Sequence, residues 1–148
     1  MIEHIEDDHH FARSIHTSLA SGGVLYITVP AYGFLWSDED VKAGHFRRYS
    51  LPEINRLLES AGFQIEYSTY IFSILPLPIF FFRALPSMLG WRRQPSSDQL
   101  TNLKQDHNPG KGWINRALNW ICRLELSTIR KGRRTPFGGS CLIVARKI

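Results

Sequence analysis

The sequence predicts an α/β fold in which amphipathic helices alternate with the strands of one sheet. Three observations point that way. A helical stripe over residues 8–20 is followed at once by the β-branched run VLYITVP. A capped helix after Ser50 leads into FQIEYSTY, which alternates apolar and polar residues. The chain closes on SCLIVARKI, another apolar run of strand length. Helix, strand, loop, helix, strand is the order expected when crossover helices join the strands of a sheet.

Each element carries its own signal. Phe11, Ile15 and Leu19 recur every fourth residue with Ala12 beside them, giving residues 8–20 one apolar helical face. Asp7 or Asp8 can cap its start, and Ser21-Gly22-Gly23 ends it, glycine supplying a left-handed turn. VLYITVP is short and continuously apolar, the pattern of a strand buried on both faces in a parallel sheet, and Pro30 ends it. Residues 31–49 have no period. Ser50-Leu51-Pro52-Glu53 is a capping box with proline in the first turn, where its missing N–H does no harm. Ile54, Leu57, Leu58 and Ala61 give that helix its buried face, and Gly62 stops it. FQIEYSTY then reads as a half-exposed strand.

The next segment, YIFSILPLPIFFFRALPSMLG, is the most apolar of the chain. Its prolines and Arg83 leave it shorter than the about 20 apolar residues of a transmembrane helix. Two readings remain: a buried helical insertion, or an interfacial element with Arg83, Arg92 and Arg93 at the lipid headgroups. A polar connector follows, RRQPSSDQLTNLKQDHNPGKG, rich in turn residues. Trp113, Ala117, Trp120, Ile121 and Leu124 share a helical stripe over residues 113–129, and RKGRRTPFGG is a basic loop before the final strand. The chain thus divides into 1–70, 71–112 and 113–148.

At 148 residues the chain can bury a core of ordinary size. Its charge of +5 is uneven: half of the lysines and arginines follow Asn108, where Glu125 is the one acidic residue. A basic end of this kind favours an anionic partner. No RNP, zinc-finger or helix-turn-helix signature is present, so nucleic acid is not the expected one. Cys122 and Cys141 lie far apart without a CxxC, which suits a reducing compartment. The acidic opening residues do not form a signal peptide. Together these predict a cytoplasmic location, with peripheral membrane contact through 71–93 under the second of the two readings of that segment.

Two clusters could carry chemistry. MIEHIEDDHH holds three histidines and four carboxylates. It lacks the HExxH spacing, and adjacent His9 and His10 project about 100° apart on a helix, so no metal site is expected there. The carboxylates suit a helix N-terminus. The second cluster, VPAYGFLWSDEDVKAGHFRRYS, follows the C-terminal end of a strand, where open α/β sheets place their sites. It gathers Tyr32, Trp36, Asp40, His45, Arg47, Arg48 and Tyr49 as candidate site residues. His45 is the catalytic candidate, since an imidazole can take or relay a proton. Arg47 and Arg48 could grip a carboxylate or phosphate, and Tyr32 and Trp36 could wall a pocket. The alternative is a rigid surface loop held by internal salt bridges. There is no GxSxG elbow, Walker loop or GxGxxG, and Gly138-Gly139 reads as a turn.

With IEHIEDD, the SGG turn, VPAYGFLWSDED, GHFRRYS and PFGGSCLIVARK in place, the chain resembles the second half of class I S-adenosylmethionine-dependent methyltransferases. It is most similar to their bacterial type 11 and type 12 branch. There the opening segment reads DVLEHIEDD and follows the fourth strand, and proline often stands where Ser21 is here. The resemblance implies a partial Rossmann-like sheet of order 3-2-1-4-5-7-6. This chain would supply the fifth, sixth and seventh strands, over 24–29, 63–70 and 140–146, the last antiparallel, with a helical apolar insertion. The family's glycine-rich cofactor loop and ribose-binding acidic residue fall outside the chain, in about three strand-helix units of roughly 30 residues each.

The resemblance also implies S-adenosylmethionine as cofactor, with Glu3, His4 and Ile5 lining one side of its pocket. His45, Arg47, Arg48 and Tyr49 fall in the acceptor-side loop. The implied activity is methyl transfer to a small-molecule or lipid-linked acceptor, with the isolated chain inactive. A non-catalytic half-domain that completes or binds another chain is the alternative. The missing fourth strand would leave an apolar edge open to self-association.

Overall fold

The computed structural model describes residues 1–90 and 112–148; the side chains of residues 112–115 and 117 lie outside that description. The polar connector, Arg92 and Arg93 fall outside the described residues, as do the side chains of Trp113 and Ala117 from the last helical stripe. The elements are α1 (Asp8–Ser18), β1 (Val24–Pro30), α2 (Asp38–Lys42), α3 (Leu51–Ser60) and β2 (Phe63–Ile71). A broken apolar helix follows as α4 (Pro76–Ile79), a π-helical turn (Phe80–Ala84) and α5 (Leu85–Met88). Then come α6 (Gly112–Arg130) and β3 (Ser140–Lys147).

The three strands form one sheet in the order β1-β3-β2, with β3 antiparallel to both neighbours. β1 and β2 therefore run in the same direction without touching, joined through α3, and the last strand in sequence is central. One face carries the core. Val29, Ile27 and Leu25 sit opposite Cys141, Ile143 and Ala145, which continue across to Tyr70, Ser68 and Ile65. α1 brings Ala12, Phe11 and Ile15 onto this face, and α3 brings Ile54, Leu57 and Leu58. A bulge at Glu66 shifts the register between Ile65 and Tyr67 and turns the Glu66 carboxylate onto Arg146.

Burial on both faces does not hold for β1. Among the described residues it pairs with β3, antiparallel, and its other edge meets a single parallel bridge, Ala31 to Tyr49, at its end. Tyr26 is 73% exposed and Thr28 also faces water. An unbroken apolar run marks a strand whose two faces suit burial, but only the face toward α1 and α3 is covered here. The expected helix over the last stripe is present as α6, with Trp120 and Leu124 exposed.

The caps act as the sequence dictates, with one shift. Asp7 accepts a hydrogen bond from the His10 N–H at 2.8 Å and starts α1. α1 ends at Ser18, two residues short of expectation, because Leu19 is extended. The glycine turn comes afterwards, with Gly22 at φ +75° and the Gly23 N–H bonded to Ala20 O. At α3 the Glu53 carboxylate accepts from both the N–H and the hydroxyl of Ser50 at 2.7 and 2.8 Å. Gly62, at φ +99°, closes this helix where a Cβ would also press on the His16 ring.

Gly138-Gly139 is more than a turn. The Gly139 N–H donates to Phe72 O and its carbonyl accepts from the Ala31 N–H, so it bridges the ends of β2 and β1. On the far side, the Glu125 carboxylate of α6 accepts from the N–H groups of Phe72 and Ser73, holding α6 to the exit of β2.

Candidate functional site

The loop from Ala31 to Tyr49 is held by two buried carboxylates. The first is Asp40, whose side chain is 1% exposed. Its two oxygens accept from the N–H and hydroxyl of Ser37, from His45 Nδ1 at 2.8 Å, and from Arg48 Nε and Nη2 at 2.8 and 3.0 Å. Burial alone would raise the Asp40 pKa, but the Arg48 fork, His45 and the Ser37 N–H outweigh it and hold the carboxyl below its ordinary value. Arg48 also donates to Ala31 O, tying this hub to the end of β1.

The second carboxylate is Asp8, in the first turn of α1. Arg47 Nη1 donates to it at 2.7 Å and the buried Tyr49 hydroxyl at 2.8 Å, while Arg47 Nη2 reaches Glu6 O. Burial and the neighbouring Asp8 charge raise the Tyr49 pKa, so this phenol stays a donor. Backbone pairing completes the latch: Tyr49 N–H donates to Pro30 O and Tyr32 N–H to Tyr49 O. Sequence reasoning took Asp8 for a helix cap and missed this role. Its partners lie about forty residues away, so no local signal marked it.

Arg47 and Arg48 are thus engaged with internal carboxylates and backbone oxygens, the alternative reading of this loop. Tyr32 stands apart. It adopts φ +59°, uncommon for a bulky residue, and its ring lies among Tyr70, Phe34 and Phe137 with centroids 4.9–5.2 Å away. Burial and the neighbouring Tyr70 raise its pKa. Trp36 is half-buried just past the turn that follows.

The N-terminal turn, Ile2–His4, docks on the same loop. Phe46 N–H donates to Glu3 O at 2.7 Å, and His4 Nδ1 meets Gly44 O at 3.2 Å. The His4 and His45 rings lie edge to face, 4.7 Å between centroids. Glu3 Oε1 is 3.6 Å from His4 Nε2, and its Oε2 contacts the N-terminal ammonium. Burial would raise the Glu3 pKa, but the ammonium and backbone hydrogen bonds and the nearby positive charge bring it below the ordinary value. Ile5 is half-buried directly after the turn. The structure therefore brings Glu3, His4, Asp40 and His45 together, and places Arg47 and Tyr49 on the opposite side of the loop, at α1.

A family model described as a methyltransferase domain matches residues 1–68. No curated protein matches the chain. Among solved structures, the phosphoethanolamine N-methyltransferase 2 of Haemonchus contortus, in complex with S-adenosyl-L-methionine, aligns at 17% identity with a TM-score of 0.48. The alignment covers 99% of this chain and 31% of that one, so this chain spans about a third of that protein's length.

Proposed function

We propose that this chain forms the acceptor-side part of a class I S-adenosylmethionine-dependent methyltransferase. The match of residues 1–68 to a methyltransferase-domain model carries this reading, because that stretch includes the docked N-terminal turn and the whole latched loop. The strand order β1-β3-β2, with β3 reversed between two strands of common direction, accords with the 5-7-6 end of the sheet that the resemblance implies.

The residues present suit one side of a cofactor pocket. The Glu3 side chain is largely buried at the docked turn, and a carboxylate is a favourable neighbour for a cationic sulfonium. Glu3, His4 and Ile5 would line that side. The bound cofactor supplies an electrophilic methyl group. The chain's part is to align an acceptor with it and to take the acceptor's proton where there is one to take. His45 is the residue for that step. Asp40 accepts from its Nδ1–H, which fixes the tautomer and leaves Nε2 as the basic atom. The Arg48 fork holds Asp40 and so keeps His45 in place.

The acceptor is lipid-linked in this proposal. Leu77, Phe81, Phe82, Met88 and Leu89 are exposed along the broken helix, Phe82 at 73%, with exposed Arg83 among them. No helix among the described residues is long and apolar enough to cross a membrane. Exposed aromatic residues beside a cation suit an anionic lipid interface instead. Sedimentation with phosphatidylglycerol vesicles at low salt should carry the chain into the pellet, and Phe81→Ser/Phe82→Ser should return it to the supernatant. Wild-type chain left in the supernatant would count against lipid contact.

The outer edge of β1, unpaired from Val24 to Val29 among the described residues, favours a second reading, a non-catalytic half-domain that completes another chain or pairs with its own copy. Calorimetry with S-adenosylmethionine separates the two. Residues 1–148 alone should bind weakly, since the glycine-rich loop lies outside them. The chain extended through preceding in-frame codons should bind at micromolar concentration. An extended chain that fails to bind, or stop codons in that frame, would remove the enzymatic reading and leave the second.

A further inference from the structure

We propose that Glu3, His4 and His45 form a binding site for a divalent first-row transition ion. One ligand atom from each of the three lies within 4.8 Å of those of the other two. The sequence reading expected no metal and weighed His9 and His10, which point apart. The fold supplies a different pair by docking Ile2–His4 on the loop.

Three features make this more than a meeting of polar groups. First, both imidazoles are already oriented through Nδ1. His4 Nδ1 meets the Gly44 carbonyl and His45 Nδ1 meets the Asp40 carboxylate, both of which only accept. Each ring is therefore held with Nδ1 protonated and Nε2 left to ligate. A carbonyl and a carboxylate behind the ligating rings are the outer partners that metal-bound histidines usually have. Second, the rings stand at the right separation. Two imidazoles on adjacent positions of one ion would have centroids about 5 Å apart, given metal–nitrogen bonds near 2.1 Å; these are 4.7 Å apart at 72°. Third, Glu3 Oε1 lies 3.6 Å from His4 Nε2, close to the spacing of neighbouring ligands, while the ammonium occupies only Oε2.

Two nitrogens and one carboxylate oxygen suit zinc, cobalt, manganese or iron rather than calcium or magnesium. Three protein ligands leave coordination positions open, and His4 is partly exposed, so an external oxygen ligand has access. A bound ion would take His45 Nε2 as a ligand and would itself supply Lewis-acid polarisation of an acceptor, a state exclusive of the base role proposed above for that ring. Asp40 is matched by Arg48, and Glu3 Oε1 faces His4 Nε2.

The test uses untagged chain and Co²⁺, read by its visible absorption and displaced with Zn²⁺. Saturable one-to-one binding is expected. Glu3→Gln and His4→Gln should each weaken it about tenfold or more without lowering the melting temperature. His45→Gln should abolish it, and if that variant does not fold, the other two still decide. His9→Gln/His10→Gln should bind like wild type. Absence of a saturable band, or an equal loss in the His9/His10 variant, overturns the site. Because cofactor is left out, either result stands apart from the methyl-transfer reading.

Discussion

Asp40→Ala is expected to cost about 3–5 kcal/mol of stability, measured by urea denaturation. The magnitude follows from what is left behind. Arg48 is 9% exposed and has the Asp40 carboxylate as its charge partner, so removing the carboxylate strands a buried cation. The Ser37 N–H and hydroxyl and His45 Nδ1 lose their acceptor at the same stroke. Asp40→Ala/Arg48→Leu should recover part of the loss, since it removes the stranded charge as well. A midpoint for Asp40→Ala within error of wild type would refute the hub.

The same residue sets an acid limit. The folded pKa of Asp40 lies below its unfolded value, so its contribution is fully present above the ordinary aspartate range and disappears as pH falls through the folded pKa. Wild-type chain should lose stability on acidification below about pH 4. Asp40→Asn, less stable at neutrality, should show a shallower decline.

Gly138→Ala is the second large effect, expected at about 3 kcal/mol. A Cβ there would stand 2.2 Å from Ile71 O and 2.8 Å from the Ile71 amide nitrogen, and backbone cannot step aside as a side chain can. Gly33→Ala provides the comparison. Nothing lies within 4 Å of its added Cβ, so its denaturation midpoint should stay within about 0.5 kcal/mol of wild type. Equal effects at both sites would show that chain entropy, not contact, governs Gly138.

Local signals in the sequence were legible because they depend on a few neighbours. Ser50 and Glu53 meet one turn apart, Asp7 meets His10, and the stripe Phe11-Ile15-Leu19 faces one way whatever it packs against. The pairs that build the candidate site are different. Asp8 meets Arg47 and Tyr49, and His4 meets His45, about forty positions away, and no period or cap marks such a meeting. The basic pair Arg47-Arg48 could equally suit a phosphate or a buried aspartate, since the guanidinium fork recognises both. VLYITVP announced a strand correctly, but hydrophobicity records which faces can be buried and not which neighbour arrives to bury them.

The place of β3 bears on how the chain acquires its structure during synthesis. β1 and β2 emerge early, yet neither has a pairing partner until residues 140–147 insert between them. Every β1–β3 and β2–β3 hydrogen bond in the described fold thus waits for residues 140–147, and the contacts they close are long-range and slow to form. Until then two apolar strands stand with open edges beside a growing chain, the interval in which a chaperone has most to shield. A nascent chain stalled before Ser140 should be a protease-sensitive species in which α1 and α3 have no sheet to cover.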